Sequence, residues 1–375
     1  MNLEIASPEH SRQLVEFYKG FPLKGLVELK VDRDGDFFAP YAIQSDKHLT
    51  YMLKEEGQLE GTASFVVRDV MLDGRPTSVA FGRDLRISSN RKVILEWSQH
   101  FLPVMQEVGR TLGAQYFFSV MSMSDARALN AFVRPRNMKR PLPRYYLFRR
   151  FNVVSLHGRL PWASNPLPHL RIRRATPAHL DALIYYISQQ SSNKELATVW
   201  DTTSFNEKLE RWKGLKLEDF LIAVDSKDNI VGCVAPWSSG GLQDFIPMEY
   251  SLRAHNFRQF LKFGKMLGWT RTLTKPYSRL KIEGTLNFKY LNFLFADNED
   301  IFASLLWRAY DDAEENEFLL YTQPRSDIMY RSPLNWISAK MPYGVYLLLP
   351  PDQTTPSFLN PRNEKSLEIE PFFAL

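Results

Sequence analysis

The apolar positions of this chain fall into short runs whose period switches between two and about 3.6. In His48–Asp69 (HLTYMLKEEGQLEGTASFVVRD) two apolar runs flank a charged turn with a glycine, which predicts a hairpin. A strand follows at Ser78–Ile87 (SVAFGRDLRI), then a polar loop, SSNRK. Val93, Trp97, Phe101, Val104 and Val108 come next at gaps of three and four, one face of a helix. Pro103 lies inside that helix, and Gln115–Met121 (QYFFSVM) reads as a buried strand.

The second half repeats this order. Arg171–Ala175 reads as a strand and Pro177–Gln189 as a helix opened by Thr176. Phe220–Trp237 reads as a hairpin turning at Lys227–Asn229, and Tyr290–Phe295 as a strand. A polar loop leads to an amphipathic helix at Ile301–Asn316 and a strand at Phe318–Tyr321. The three prolines of Pro161–Pro168 mark a linker. The expected organisation is a domain over 1–160, a linker over 161–168, a second domain over 169–350 and an irregular tail over 351–375. The two phenylalanines of the closing EIEPFFAL are expected to dock the tail back on the body.

The composition, 44% hydrophobic and 24% charged, suits a packed protein, and no apolar stretch approaches the length of a membrane span. One cysteine, Cys233, and no basic-then-apolar leader favour a reducing, cytoplasmic location. Cys233 itself reads as a buried small residue. Trp97, Trp212, Trp237 and Trp307 read as core or domain contacts. Charge is uneven: residues 1–165 hold 23 Lys/Arg against 17 Asp/Glu, and the remainder 24 against 25. The excess concentrates in Arg134–Arg150, where prolines and tyrosines interleave with the cations. That stretch reads either as a solvated loop or as a grip on RNA phosphates. The scattered histidines show no metal-ligand spacing, and no GxGxxG, Walker or GxSxG motif occurs.

Hairpin, strand, loop, helix, strand, given twice, resembles the GNAT superfamily of acyl-CoA-dependent N-acyltransferases in tandem. LRIRRATPAHLDALIYYI is similar to that family's first strand and helix, and FLIAVDSKDNIVGCVAPW to its central hairpin. FGRDLRISSNRK sits where the family has its fourth strand and pyrophosphate loop. In SDARALNAFVR, Asp125 falls at the usual asparagine, Ala128 at the alanine and Phe132 at the tyrosine. The implied fold is α/β (α+β): two tandem GNAT-like domains, each a mixed, mostly antiparallel sheet flanked by helices. The implied function is N-acyl transfer from acetyl-CoA or another acyl-CoA to an amine, in a protein of bacterial type, without a metal.

The resemblance places the cofactor on Ile87, Ser88, Ser89, Asn90, Arg91 and Lys92, where a helix start and two cations favour a pyrophosphate. It makes Asp84 the general base, against the plainer reading of an ion pair with Arg83 or Arg86. Tyr145 is the substitute for the family's acid tyrosine, against the plainer reading of RYYLF as an aromatic strand. The loop lacks the family's glycines and Phe132 has no proton to give, which keeps a catalytically inactive binding protein as one alternative. A Fem-type aminoacyl-tRNA-dependent transferase is another. The expected partners are a small-molecule or peptide amine acceptor, RNA along Arg134–Arg150, and a second copy of the chain.

Overall fold

The computed structural model describes residues 1–133, 142–277, 284–360 and 365–374. The first half carries β1 (Asn2–Ile5), α1 (Ser11–Lys19), β2 (Val27–Asp32), α2 (Ala39–Ala42), β3 (His48–Glu55), β4 (Gln58–Leu72) and β5 (Arg75–Ile87). It continues through α3 (Arg91–Leu112), β6 (Tyr116–Ser122), α4 (Ala126–Ala128) and β7 (Arg144–Arg159). The second half carries β8 (Arg171–Arg174), α5 (Leu180–Ser191), α6 (Thr202–Arg211), β9 (Leu221–Val224), β10 (Ile230–Trp237), β11 (Asp244–Tyr250) and α7 (Leu252–Met266). Then come β12 (Phe288–Ala296), α8 (Glu299–Asp312), β13 (Phe318–Pro324), β14 (Trp336–Leu349) and α9 (Pro371–Ala374).

Local chemistry sets these elements. Glu56 and Gly57 both take positive φ between β3 and β4, as do Asp73 and Gly74 between β4 and β5. Two such residues give a turn whose twist matches the flanking strands. Asn90 caps α3 by accepting the Lys92 N–H at 2.9 Å, and Gly113 ends it at φ 75°. Val93, Trp97, Phe101, Val104 and Val108 are all buried, so α3 packs by the face its spacing predicts. The helix expected over Ile301–Asn316 starts two residues earlier, where the Asn298 side chain accepts the Ile301 N–H at 2.9 Å, and stops at Asp312.

One sheet runs through both halves, in the order β1-β3-β4-β5-β6-β14-β7-β13-β12-β10-β9-β8. Its parallel pairs are β5–β6 and β12–β13, and the other pairs are antiparallel. The halves exchange their last strands. β7 pairs with β13 and β14 of the second half, and β14 reaches back to β6 of the first, with Val345 opposite Val120. A second link is the small sheet of β2 and β11, Phe245 opposite Val31. The tail docks as expected: Phe372 and Phe373 are buried, Phe372 5.4 Å from Trp237 and Phe373 4.9 Å from Phe81, centroid to centroid.

Candidate active site

The parallel strands β5 and β6 pair only from Val79–Tyr116 to Gly82–Ser119. Beyond that point β5 follows β4 to Ile87 and β6 follows β14 to Ser122, so the two diverge and leave a wedge. On β4, Thr62 pairs with Arg86 and Ser64 with Arg83, which sets Asp84 and Leu85 together opposite Ala63. This bulge bends β5 away from β6. Asp84 has φ 49°, a conformation that costs a non-glycine residue about 1–3 kcal/mol and needs surrounding support.

The support is a buried ionic cluster. Arg33, only 2% exposed, places Nη2 2.6 Å from Asp84 Oδ2 and 3.2 Å from Gln243 Oε1. Tyr18 donates to Asp84 Oδ1 at 2.7 Å, and the Tyr41 hydroxyl makes a short hydrogen bond to Oδ2. The Arg33 guanidinium also lies over the rings of Tyr18 and Phe37, at 4.6 and 4.7 Å. Burial works against the charge on Asp84, but Arg33, Arg83 and Arg86 outweigh it and hold the carboxyl far below the usual carboxylate range. A carboxylate so held is a weak proton acceptor.

The wedge opens into a cavity of about 1010 Å³ that spans both halves. In the first half its wall includes Phe65, Asp84, Trp97, Phe101, Phe132 and Tyr145. Tyr145 packs against Phe132 with tilted rings, centroids 5.4 Å apart, and burial pushes its hydroxyl pKa up. Phe245, Phe257, Leu273, Phe288 and Phe318 of the second half form an apolar wall, broken by Ser155 and His157 of β7. His157 is 2% exposed, its Nε2 lies 2.9 Å from Ser155 Oγ, and its Nδ1 has no partner among the described residues. Burial pulls its pKa down to about 3, so the imidazole is neutral.

The second half has a matching wedge with a different fate. β12 and β13 pair from Phe288–Phe318 to Tyr290–Leu320, and a bulge on β12 carries Phe293 at φ 51°. Here the tail fills the gap. Leu367–Pro371 lines what remains, about 50 Å³, and the Thr322 hydroxyl donates to the Ile369 carbonyl at 2.6 Å. Glu370 anchors the plug between Lys208, at 2.6 Å, and Arg68, at 3.2 Å.

The structure brings Asp84 and Tyr145 to the wall of one cavity. Ile87 ends β5, Ser88, Ser89 and Asn90 form the turn into α3, and Arg91 and Lys92 open that helix, next to the cavity wall but outside it. Ser88 donates its N–H to the Glu60 carbonyl at 2.8 Å, Lys92 pairs with Glu55, and Arg91 is exposed. The corresponding start of α8 carries Glu299 and Asp300, which disfavour a phosphate. Of the basic stretch, Arg134, Arg136, Lys139 and Arg140 lie outside the described residues. Sequence reasoning missed Arg33, Tyr18 and Tyr41, whose roles depend on contacts 43–66 residues distant in the chain. It also passed over His157, whose one signal was a lone imidazole in an apolar strand.

Neither the protein-family models nor the curated proteins give a match to the sequence. Solved structures do match in shape. The N-myristoyltransferase of Saccharomyces cerevisiae with bound myristoyl-CoA aligns at a TM-score of 0.54 and 11% identity, covering 100% of this chain and 84% of that one. Another structure of that enzyme with myristoyl-CoA gives 0.52 at 12% identity, over 98% and 89% of the two chains. These alignments show that the chain shares its overall fold with those structures, along nearly its whole length.

Proposed function

We propose that the protein transfers an acyl group from an acyl-CoA to an amine, with the acyl-CoA in the first lobe and the acceptor approaching along the second. The observation that carries this reading is the contrast between the wedges: one opens into about 1010 Å³, the other is plugged to about 50 Å³ by the chain's own tail. The open volume is at the upper end of the range for small-molecule sites and has room for two co-substrates. The structural neighbour in yeast is an acyltransferase with myristoyl-CoA bound, which supports the acyl-CoA assignment.

In this reading the pantetheine arm lies along β5 past Gly82, where β6 no longer pairs with that strand. The pyrophosphate rests on the turn Ser88–Asn90 and the first turn of α3, where Arg91 is exposed. The amine nitrogen attacks the thioester carbonyl carbon, the C–N bond forms, the C–S bond breaks, and the thiolate leaves with a proton. Tyr145 relays that proton, its hydroxyl giving one to the departing sulfur and taking one from the acylated nitrogen, so that it ends the step protonated, as its burial favours. Asp84 acts by holding the bulge that opens the wedge. The neutral His157 and the Ser155 hydroxyl give the acceptor side its polar contacts. Positioning of amine against thioester supplies most of the rate.

The test is release of free CoA thiol from acetyl-, octanoyl- and palmitoyl-CoA in the presence of a panel of small amines and peptides. Acceptor-dependent release that falls in Tyr145→Phe supports the reading. Absence of release with every pair contradicts it.

A further inference from the structure

From Tyr250 to Ile282 the sequence contains no acidic residue and eight Lys/Arg. Within that stretch α7 buries only Ala254, Leu261 and Gly264. Its outward side is unusual for a helix facing water. Leu252 is 78% exposed, Phe260 45%, Phe263 58%, Met266 79% and Leu267 46%. Phe260, Phe263 and Leu267 follow at steps of three and four, so they share one face with Met266 beside them, and Leu252 lies on that face two turns earlier, beyond the exposed Asn256 and Gln259. Leu26, 46% exposed, joins this apolar surface, since its carbonyl accepts the Ser251 N–H at 2.9 Å. Arg253 on one side of the apolar arc and Lys262 and Lys265 on the other are exposed. Exposed apolar side chains gathered at the end of a helix mark an interaction site, and cations along both borders select a surface that is apolar within and anionic without.

We propose that α7 seats the protein on an anionic lipid bilayer, with Leu252, Phe260, Phe263, Met266 and Leu267 entering the boundary between headgroups and acyl chains. The cations beside them meet the lipid phosphates. The placement has a consequence for access. Arg253, Ala254 and Phe257 of the same helix line the large cavity, so docking by α7 sets the cavity's second-lobe end against the membrane. No helix among the described residues is long and apolar enough to span a membrane, and peripheral docking needs none. The docking itself does not depend on the acyl-CoA reading.

Cosedimentation of the full chain with phosphatidylcholine vesicles, with and without phosphatidylglycerol, tests this. Two surface variants accompany the wild type: Phe260→Ser with Phe263→Ser, and Lys262→Glu with Lys265→Glu. All four side chains are exposed, so both variants are expected to keep the wild-type melting temperature. The expected result is binding that requires phosphatidylglycerol, weakens with salt, and drops roughly tenfold or more in each variant. Equal binding to both vesicles, no binding to either, or unchanged binding of either variant overturns the proposal. So does a wild-type dimer that the phenylalanine variant splits with no lipid binding in either protein, since the face then belongs to a second copy.

Discussion

Arg33 and Asp84 meet at 2.6 Å inside the protein, the one just after β2 and the other at the bulge that parts β5 from β6. The pair joins the small β2–β11 sheet to the wall of the cavity, and Gln243 of the second half completes it. The shape of the open wedge therefore rests on an interaction that reaches across both lobes.

Removing one member of such a pair leaves the other charged and buried. Arg33→Ala is expected to cost about 3–5 kcal/mol in denaturant unfolding. The paired variant Arg33→Met with Asp84→Asn is expected to recover part of that loss. A single variant as stable as wild type would show that the pair does not support the bulge.

The acid side of the stability curve carries the same signature. The folded pKa of Asp84 is lowered, so its contribution is present above the unfolded carboxylate value of about 4 and is lost as pH falls below it. The stability difference between wild type and Asp84→Asn should shrink as pH drops through about 4. A difference independent of pH in that window would argue against an ionised, paired Asp84.

His157 gives a second window of the opposite chemical kind. Its folded pKa is pulled down to about 3 by burial, whereas the unfolded imidazole titrates near 6.5. Between these values the unfolded chain takes up a proton that the folded chain refuses, so stability falls as pH drops from about 6.5 toward 3. His157→Gln should flatten that slope. An NMR titration of the ring with a midpoint near 6.5 would contradict its burial.

How far the sequence foretold this depends on the range of the contact involved. The face of α3, the hairpin turn at Glu56–Gly57 and the repeated order of elements were readable because each is set by residues a few positions apart. The docking of Phe372 and Phe373 was readable from their chemistry, since two adjacent phenylalanines near the end of a chain seek cover. The exchange of β7 and β14 was not, because nothing local states which neighbour either strand takes. Arg33 was one arginine among 47 cations, and its importance appears only when folding brings Asp84 to it. The plug in the second wedge was hidden likewise: Glu370 meets Arg68, 302 residues away.

The tail offers a direct probe of that plug. Phe372→Ala removes a fully packed ring that contacts Trp212, Trp237 and Tyr290. The expected loss is about 3–5 kcal/mol in unfolding free energy, and a loss near zero would mean the tail is not docked as described.

The turn into α3 tests the cofactor assignment by charge. Arg91→Ala should keep the fold and weaken acyl-CoA binding about fivefold, the effect of losing one exposed phosphate contact of ~1 kcal/mol. Unchanged affinity would move the pyrophosphate elsewhere.

The central claim is that the open first-lobe wedge is an acyl-CoA site, and calorimetric titration of the purified protein with acetyl-CoA and palmitoyl-CoA tests it most directly. The account predicts saturable binding of about one acyl-CoA per chain, because only one of the two wedges is open. Absence of binding by both, or two equivalent sites per chain, would contradict it.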